Sequence, residues 1–461
     1  MKKKILFSLL FAILFLAITQ LNSNASSIPR VNIEGDISNM NVKSDIRKAK
    51  ITYIGDELNF ESYIEIKLQG SSSLAYEKKN YTIKLFKDEE HTEKNKVEVN
   101  KDWGKQSKYC LKANWVDDIT QSRNVVSARI AAKVQAKYNV FTNTPHNGTI
   151  DGFPVEIYNN DEFLGVYTWN IPKDDWLWNI DSKDEKQYTL EGDGYSDATA
   201  FKGNFEKFED NVFTVEAGTE SEEALKHLQR TIDFVKDSSD EEFKEKFSEY
   251  FDFDSSLNYI LCCYYFGARD NTQKNMMLVS YDGKKFYPSL YDLDTTYGVE
   301  WDGTKKVEYD TVFDVEGDSL LWQRVFKVFS NEVAKRWFEL REDIFTKEAT
   351  MKEFRDFYSL IPEETWQKER ARWGEDLRGF GLDQIEEFLD FRIKFVDDIM
   401  EKKFTPEYKE QLEKQKQEIK LKTDEDIGNF NKRLLPMLAV VAGIIVVLII
   451  IEMIMRIKKR K

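Results

Sequence analysis

Alternating apolar and polar residues mark the first half of the chain, and helical spacing marks the second. SYIEIKL (62–68) and YTIKLF (81–86) alternate as half-buried strands do, and 155–169 reads as a hairpin turning at Asn159, Asn160 and Asp161. Between them, 122–138 has helical spacing. From about residue 221 apolar positions recur with helical period over 222–236, 240–251, 255–266, 320–329, 330–341, 351–361 and 382–402. One interruption stands out: 276–281 and 285–290 read as a hairpin around Asp282 and Gly283. The pattern predicts an α+β fold, with a strand-rich N-terminal half over about 30–215 and a helical C-terminal half over about 216–402.

The two ends follow neither pattern. Lys2, Lys3 and Lys4 precede an apolar run from Ile5 to Ile18, and small residues follow at Ser23 and Ala25. That is the order of an export signal, expected to be cut after Ala25. Near the other end, Leu434 to Ile451 is eighteen residues without a charge. Extended to Met455, with only Glu452 interrupting, it makes roughly 33 Å of helix, enough to cross a bilayer core. Arg456, Lys458, Lys459, Arg460 and Lys461 then form a basic tail expected in the cytoplasm. The charged stretch 403–433 reads as a stalk. The expectation is a single-pass membrane protein whose globular part, 30–402, lies outside the cell.

Composition narrows the function. With 461 residues, 41% of them hydrophobic, the chain can bury one large core or two ordinary ones. A net charge of −15 argues against nucleic acid as a partner. The three cysteines leave two readings, a bridge from Cys110 to Cys262 or Cys263, or three buried thiols. His91, His146 and His227 have no metal-ligand spacing, and neither a G-x-S-x-G elbow nor a Walker A loop is present.

The chemistry concentrates in RDNTQKNMMLVSYDGKKFYPSLYDLDTTYG (269–298). Asp270 follows an apolar helix and precedes Asn275 by five positions, and the hairpin then ends at Asp292 and Asp294. Helix, loop, hairpin and acidic pair is the order found where an R-D-x-x-x-x-N loop supplies a base and a metal ligand for phosphoryl transfer. Such a reaction needs a cation to neutralise phosphates, hard oxygens to hold it, and a carboxylate beside the attacking hydroxyl. In a chain with 82 acidic residues the acids alone decide nothing; the spacing, the asparagine and the hairpin do.

These residues, with LQGSSSLAYEKKNYTIKL (68–85), YCLKANWVDDITQSRN (109–124) and VEIYNNDEFLGVY (155–167), resemble the CotH kinase family in four segments and in the family's order. The resemblance implies a two-lobed, atypical protein-kinase-like fold. It further implies an extracellular kinase using ATP and Mg²⁺, or Mn²⁺, to phosphorylate serine or threonine of surface or coat proteins and of itself. By position Asp270 would be the catalytic base, and Asn275, Asp292 and Asp294 the metal ligands. The turn at Gly70, Ser71 and Ser72 would cover the phosphates, and Lys79, Lys84, Lys112 and Arg123 are the candidate cations for them. Trp115 is a candidate for stacking on the base.

Departures from the pattern are equally plain. There is no G-x-G-x-x-G loop, no histidine before Arg269, no D-F-G and no A-P-E, and Asn170 stands where an acid is expected. The acidic partner of the phosphate-binding lysine is left open between Glu156 and Glu191. Two other readings stay open: a surface-binding pseudokinase, and a carboxylate hydrolase, which would have no use for Asn275 or the lysines. Truncation tests the anchor: a chain ending at Lys402 is expected in the medium, folded and soluble, whereas the full chain stays with the membrane fraction. Recovery of the truncated chain with membranes would place the tether elsewhere.

Overall fold

The computed structural model describes residues 28–304, 319–374 and 377–403, together with Glu410 and Lys414. The expected export signal (1–25), membrane helix (434–455) and basic tail (456–461) lie outside the described residues, as does almost all of the stalk (403–433). Among the described residues no helix is long and apolar enough to cross a membrane. Contacts divide the chain after Met400, and both β-sheets belong to the unit that ends there.

Seven strands close a barrel: β1 (Arg30–Glu34), β2 (Ile46–Ile54), β3 (Asn59–Gln69), β4 (Asn80–Phe86), β5 (Lys108–Lys112), β6 (Gly152–Asn159) and β7 (Glu162–Asn170). Their order is β1-β2-β3-β4-β5-β7-β6, and a parallel pairing of β6 with β1 completes the ring. Strand periodicity explains the inside. Ile64, Ile66 and Leu68 of β3, Ile83 and Leu85 of β4, and Tyr109 and Leu111 of β5 are all buried. They surround Trp169, whose ring lies 5.1 Å from that of Tyr109 and 5.5 Å from that of Tyr53. The alternate residues of the same strands, among them Thr82, Lys108 and Lys112, fall on the outer face.

A second sheet follows. It consists of β8 (Tyr188–Gly192), β9 (Phe213–Ala217), β10 (Met276–Ser280) and β11 (Phe286–Leu290), ordered β11-β10-β8-β9. Around it lie α1 (Arg123–Lys137), α2 (Glu222–Asp237), α3 (Asp240–Tyr250), α4 (Phe253–Phe266), α5 (Leu320–Val328), α6 (Ser330–Arg341), α7 (Lys347–Ser359), α8 (Glu363–Trp373) and α9 (Leu382–Lys403). Helix α4 is the spine: Ser255 to Phe266 is buried throughout, and from Tyr259 onward its sequence carries no charge on any side. Asp252 caps its start by accepting from the Ser255 N–H, and Gly267, at φ 70°, ends it in the left-handed conformation.

The α+β class and the expected helices appear at the expected places. The halves, however, interleave. β8 and β9 fall before residue 215 or just across it, yet they pair with each other and with β10 rather than with the barrel, so the chain leaves the barrel at Asn170. α1, inserted between β5 and β6, packs on α4 and α7, and α8 packs back on β7. The cysteines settle as free, buried thiols. The bridge reading fails because Cys110 sits on β5 whereas Cys262 and Cys263 lie within α4. His227 is also core: its ring stacks 4.0 Å from Phe286, and burial brings its pKa down to about 4.

Arg123 locks the interleaving. Its side chain is fully buried, with Nε 3.0 Å from Asp117 Oδ1, Nη1 donating to the Thr296 carbonyl at 2.9 Å, and Nη2 donating to Gln384 Oε1 at 2.8 Å. Removing one member of a buried pair strands the other charge. Arg123→Ala is therefore expected to lower the unfolding free energy by about 3–5 kcal/mol, measured by urea titration; a loss below about 1 kcal/mol would show that the clamp carries little of the fold.

Candidate functional site

Between the barrel's outer face and the second sheet lies a cavity of about 310 Å³. Strand register builds one wall, laying Gln69 of β3 opposite Asn80 of β4, and Thr82 opposite Cys110 of β5, with Lys108 and Lys112 on the same face. Above them the turn from Gly70 to Ser73 rims the cavity. Gly70 has φ 108°, and a Cβ there would lie 1.9 Å from Ser73 Oγ, so the turn requires glycine. The Tyr76 hydroxyl pins the end of this turn across the mouth, donating to the Trp301 carbonyl at 2.7 Å.

The facing wall is acidic. Glu191 of β8 and Glu216 of β9 stand beside Asp292 and Asp294, which follow β11, and beside Asp270 and Asn275 in the loop after α4. Asn275 (φ 59°) and Asp292 (φ 53°) adopt left-handed conformations, which asparagine and aspartate tolerate best among residues with a Cβ. The Asn275 N–H donates to the Gly192 carbonyl at 2.7 Å, and a Cβ at Gly192 would lie 2.1 Å from the Gln273 carbonyl oxygen. Buried Asn271 ties the loop to the strand end, its Nδ2 donating to the Tyr291 carbonyl at 2.7 Å. Behind the acidic pair, the Leu293 N–H donates to Asn124 Oδ1 at 3.0 Å, so α1 fixes the backbone between Asp292 and Asp294.

Charges meet across the cavity. Lys112 Nζ lies 3.1 Å from Asp292 Oδ1. Burial pulls the Lys112 pKa down, but Asp292 and Asp294 outweigh it and push it up to about 12. Burial would raise Asp292; Lys112 outweighs that and holds it below its ordinary value. Asp294 is pushed up to about 7 by burial and then by the charge of Asp292. A second cluster sits alongside, where Lys173 pairs with Glu191 and reaches Glu216 Oε1 at 3.3 Å, its ammonium 5.1 Å above the Tyr291 ring. Burial first, then the neighbouring Glu216, drives Glu191 up to about 8.

This donor set suits a phosphate-bound Mg²⁺. Asp292, Asp294 and the Asn275 amide offer hard oxygens, and an acidic pair that burial and mutual repulsion keep partly protonated is relieved by a divalent cation. Among the described residues no three His, Cys, Asp or Glu side chains could hold an ion by themselves. Magnesium ordinarily completes its shell with water and substrate phosphates, so two carboxylates and an amide are a sufficient protein share. Gln69, whose Oε1 is buried without a hydrogen-bond partner, offers an acceptor on the opposite wall.

Asp270, Asn275, Asp292, Asp294, Gly70, Ser71, Ser72 and Lys112 thus line the same cavity. Three expected cations do not. Lys79 donates to the Leu74 carbonyl at 2.7 Å; Lys84, two residues past Thr82, is half exposed and 4.0 Å from Glu65; and Arg123 is spent in the buried clamp. Trp115 packs against Tyr76 and Trp373 beneath the Arg378 guanidinium, at 3.2 Å, and does not line the cavity. Nor does Asn170, buried at the end of β7. The partner of Lys112 is Asp292, whereas Glu156 binds Lys368 and Thr365, and Glu191 binds Lys173. Lys173 and Glu216 escape sequence reasoning because β8 and β9 have no clear alternation; the only signal is the proline before Lys173, which ends the hairpin.

Fold and site together define an α+β protein with a mixed lysine and carboxylate cleft between a barrel and a sheet backed by helices. The chain belongs to the CotH kinase family, since the family model described as CotH kinase protein matches residues 66–398, most of its length. No curated protein matches the chain.

The second cluster makes stability depend on pH. Glu191 binds its proton more tightly in the fold than the ordinary 4.5 would give, so its contribution is complete below about pH 4.5 and is lost as pH rises through about 8. Glu216, which Lys173 holds below its ordinary value against the effect of burial, acts in the opposite sense at lower pH. Glu191→Gln is expected to flatten the decline of Tm between about pH 5 and 8, and an unchanged slope would assign that decline to other groups.

Proposed function

We propose that the chain is an atypical protein kinase whose cleft binds ATP with Mg²⁺ and transfers the γ-phosphoryl group to a serine or threonine hydroxyl of surface or coat proteins. The barrel would serve as the upper lobe and the sheet with its helices as the lower one. The observation that carries this reading is the meeting, in one cavity, of a glycine-serine turn, a buried lysine, an asparagine and three aspartates. Membership of the CotH kinase family supports it. The N-terminal and C-terminal apolar segments support a location on the outer surface of a membrane.

Each side chain then has a task. Asp270, at the cleft mouth, takes the proton of the acceptor hydroxyl. Lys112, kept charged by Asp292, balances negative charge on the phosphates. Backbone N–H groups of the Gly70 to Ser73 turn approach phosphate oxygens without a side chain in the way. Asn275, Asp292 and Asp294 would hold magnesium, which when bound neutralises the phosphates. Lys112 and Asp292 also keep the walls in register, so the reacting groups need little rearrangement.

Two variants separate base from ligand. Asp270→Asn is expected to keep its fold and most of its ATP affinity, read by thermal shift, while losing transfer of labelled phosphate by about 10²- to 10⁴-fold. Asp292→Asn is expected to weaken magnesium-dependent ATP binding as well as turnover. Equal ATP affinity with and without magnesium, in wild type and Asp292→Asn alike, would sink the metal assignment. Near-normal transfer by Asp270→Asn would sink the base.

A further inference from the structure

At the cleft mouth an exposed tyrosine reaches the carboxylate assigned to proton abstraction. Tyr195 is 54% exposed, yet its hydroxyl donates to Asp270 Oδ1 at 2.5 Å. That length belongs to a charge-assisted O–H···O⁻ bond, and the contact is the one an acceptor hydroxyl makes with a general base. Asp270 lines the cavity and Tyr195 does not. The phenol therefore arrives from outside the cavity, as the side chain of an incoming protein would.

The turn that presents Tyr195 is pinned on both sides. Before it, the Asn211 N–H donates to Asp193 Oδ2 at 2.8 Å, and Gly194 lies so close to Asn211 that a Cβ would sit 2.3 Å from its carbonyl oxygen. After it, buried Thr199 donates from Oγ1 to the Gly194 carbonyl at 2.9 Å, and its hydroxyl accepts the Ser196 N–H at 2.9 Å. The Leu320 N–H, donating to the Ala200 carbonyl at 2.8 Å, fastens the segment to α5. An exposed side chain on so fixed a backbone meets Asp270 by placement, not by the wandering of a loose loop.

We propose that Tyr195 is a phosphoryl acceptor in cis, a tyrosine modification site built into the cleft. The inference rests on the phosphotransferase function proposed for the cleft, and it extends that function from aliphatic to aromatic hydroxyls. In the step, Tyr195 Oη attacks the γ-phosphorus of the nucleoside triphosphate. The Oη–P bond forms as the bond from that phosphorus to the β,γ-bridging oxygen breaks, the diphosphate leaves with the electron pair, and the phenolic proton passes to Asp270. A phenol, with a pKa near about 10, asks less of the base than an aliphatic alcohol does. Once formed, the phosphate carries about −1.5 to −2 charges beside the Asp270 carboxylate, and the repulsion drives it out of the mouth. Modification is then limited to one event per chain and leaves Asp270 open.

The test uses the purified full chain with labelled ATP and Mg²⁺, and peptide mapping by mass spectrometry. Phosphate is expected on Tyr195, at a rate per chain independent of protein concentration, and lost in both Tyr195→Phe and Asp270→Asn. Labelling that grows with protein concentration overturns the cis step. Transfer to an added protein acceptor with Tyr195 unmodified overturns the inference and leaves the kinase reading standing, whereas no ATP binding and no transfer to anything overturns both. In nucleotide-free protein, the ¹³Cζ signal of Tyr195, identified by its loss in Tyr195→Phe, is expected to move in Asp270→Asn. A signal indifferent to that change removes the contact on which the proposal stands.

Discussion

Lys112 and Asp292 face each other across the cleft at 3.1 Å, and the geometry of the site depends on bringing that pair together. Alone, an outward lysine on a barrel strand would be solvated, and an aspartate beside another aspartate would be driven toward its neutral form. Paired, the lysine stays charged to about pH 12 and Asp292 stays ionised despite burial. The devices around them serve this contact. β5 is held between β4 and β7, which sets the height of Lys112, while the left-handed turn at Asp292 and the bond from Leu293 to Asn124 set the acid. Replacing the pair with apolar residues could leave the fold as stable, but the cleft would lose the charges that make it a site.

A further buried charge group, centred on Lys78, stands behind the barrel. Lys78 Nζ lies 2.6 Å from Glu369 of α8 and 3.2 Å from Asp118, which in turn binds Arg378 at 2.6 Å. Glu369 also accepts the Val166 N–H of β7, so a helix from far along the chain is fastened to the outside of the barrel. Asp117 and Asp118, adjacent in sequence, face different clusters: Asp117 the Arg123 clamp and Asp118 the Lys78 group. The late helices are the backing that holds the barrel wall against the acidic wall.

Sequence alone made much of this legible, and what it hid has physical causes. A strand with one wetter face, such as β3, alternates visibly, and helices with one apolar stripe repeat visibly. β8 is buried on both faces and so carries no alternation, whereas β10, equally buried, is legible through the Asp282 and Gly283 turn of its hairpin. α8 escaped notice because it is charged and short, its inward side being Trp366 and Glu369. The motif spacing singled out Asp270, Asn275, Asp292 and Asp294, which one loop and one strand end bring to the same cavity. Choosing among the lysines required knowing strand register. Lys112 and Lys84 look alike in sequence, but Lys112 lies opposite the acidic wall while Lys84 lies out beside Glu65. Tyr195 had no motif at all; its link to Asp270 crosses 75 positions and exists only in the fold.

The charge balance of the cleft reconciles an acidic protein with the polyanionic substrate proposed for it. A net charge of −15 repels ATP at long range, but exposed charges are screened within about 8–10 Å at physiological salt. What a nucleotide would meet at contact range is the local wall, where Lys43, Lys67, Lys108 and Lys112 line the barrel side and Lys173 and Lys274 the other. Facing acids pair with two of these lysines, Asp292 with Lys112 and Glu191 and Glu216 with Lys173, which keeps a partly buried cationic patch from being a cost to folding. Under the function proposed above, phosphates would take the place of carboxylates at Lys112 and Lys173, while Asn275, Asp292 and Asp294 would hold the divalent cation. Binding would then be an exchange of ion pairs, in which neither component alone would satisfy both walls. That is the physical basis for expecting nucleotide and metal to be taken up as one unit.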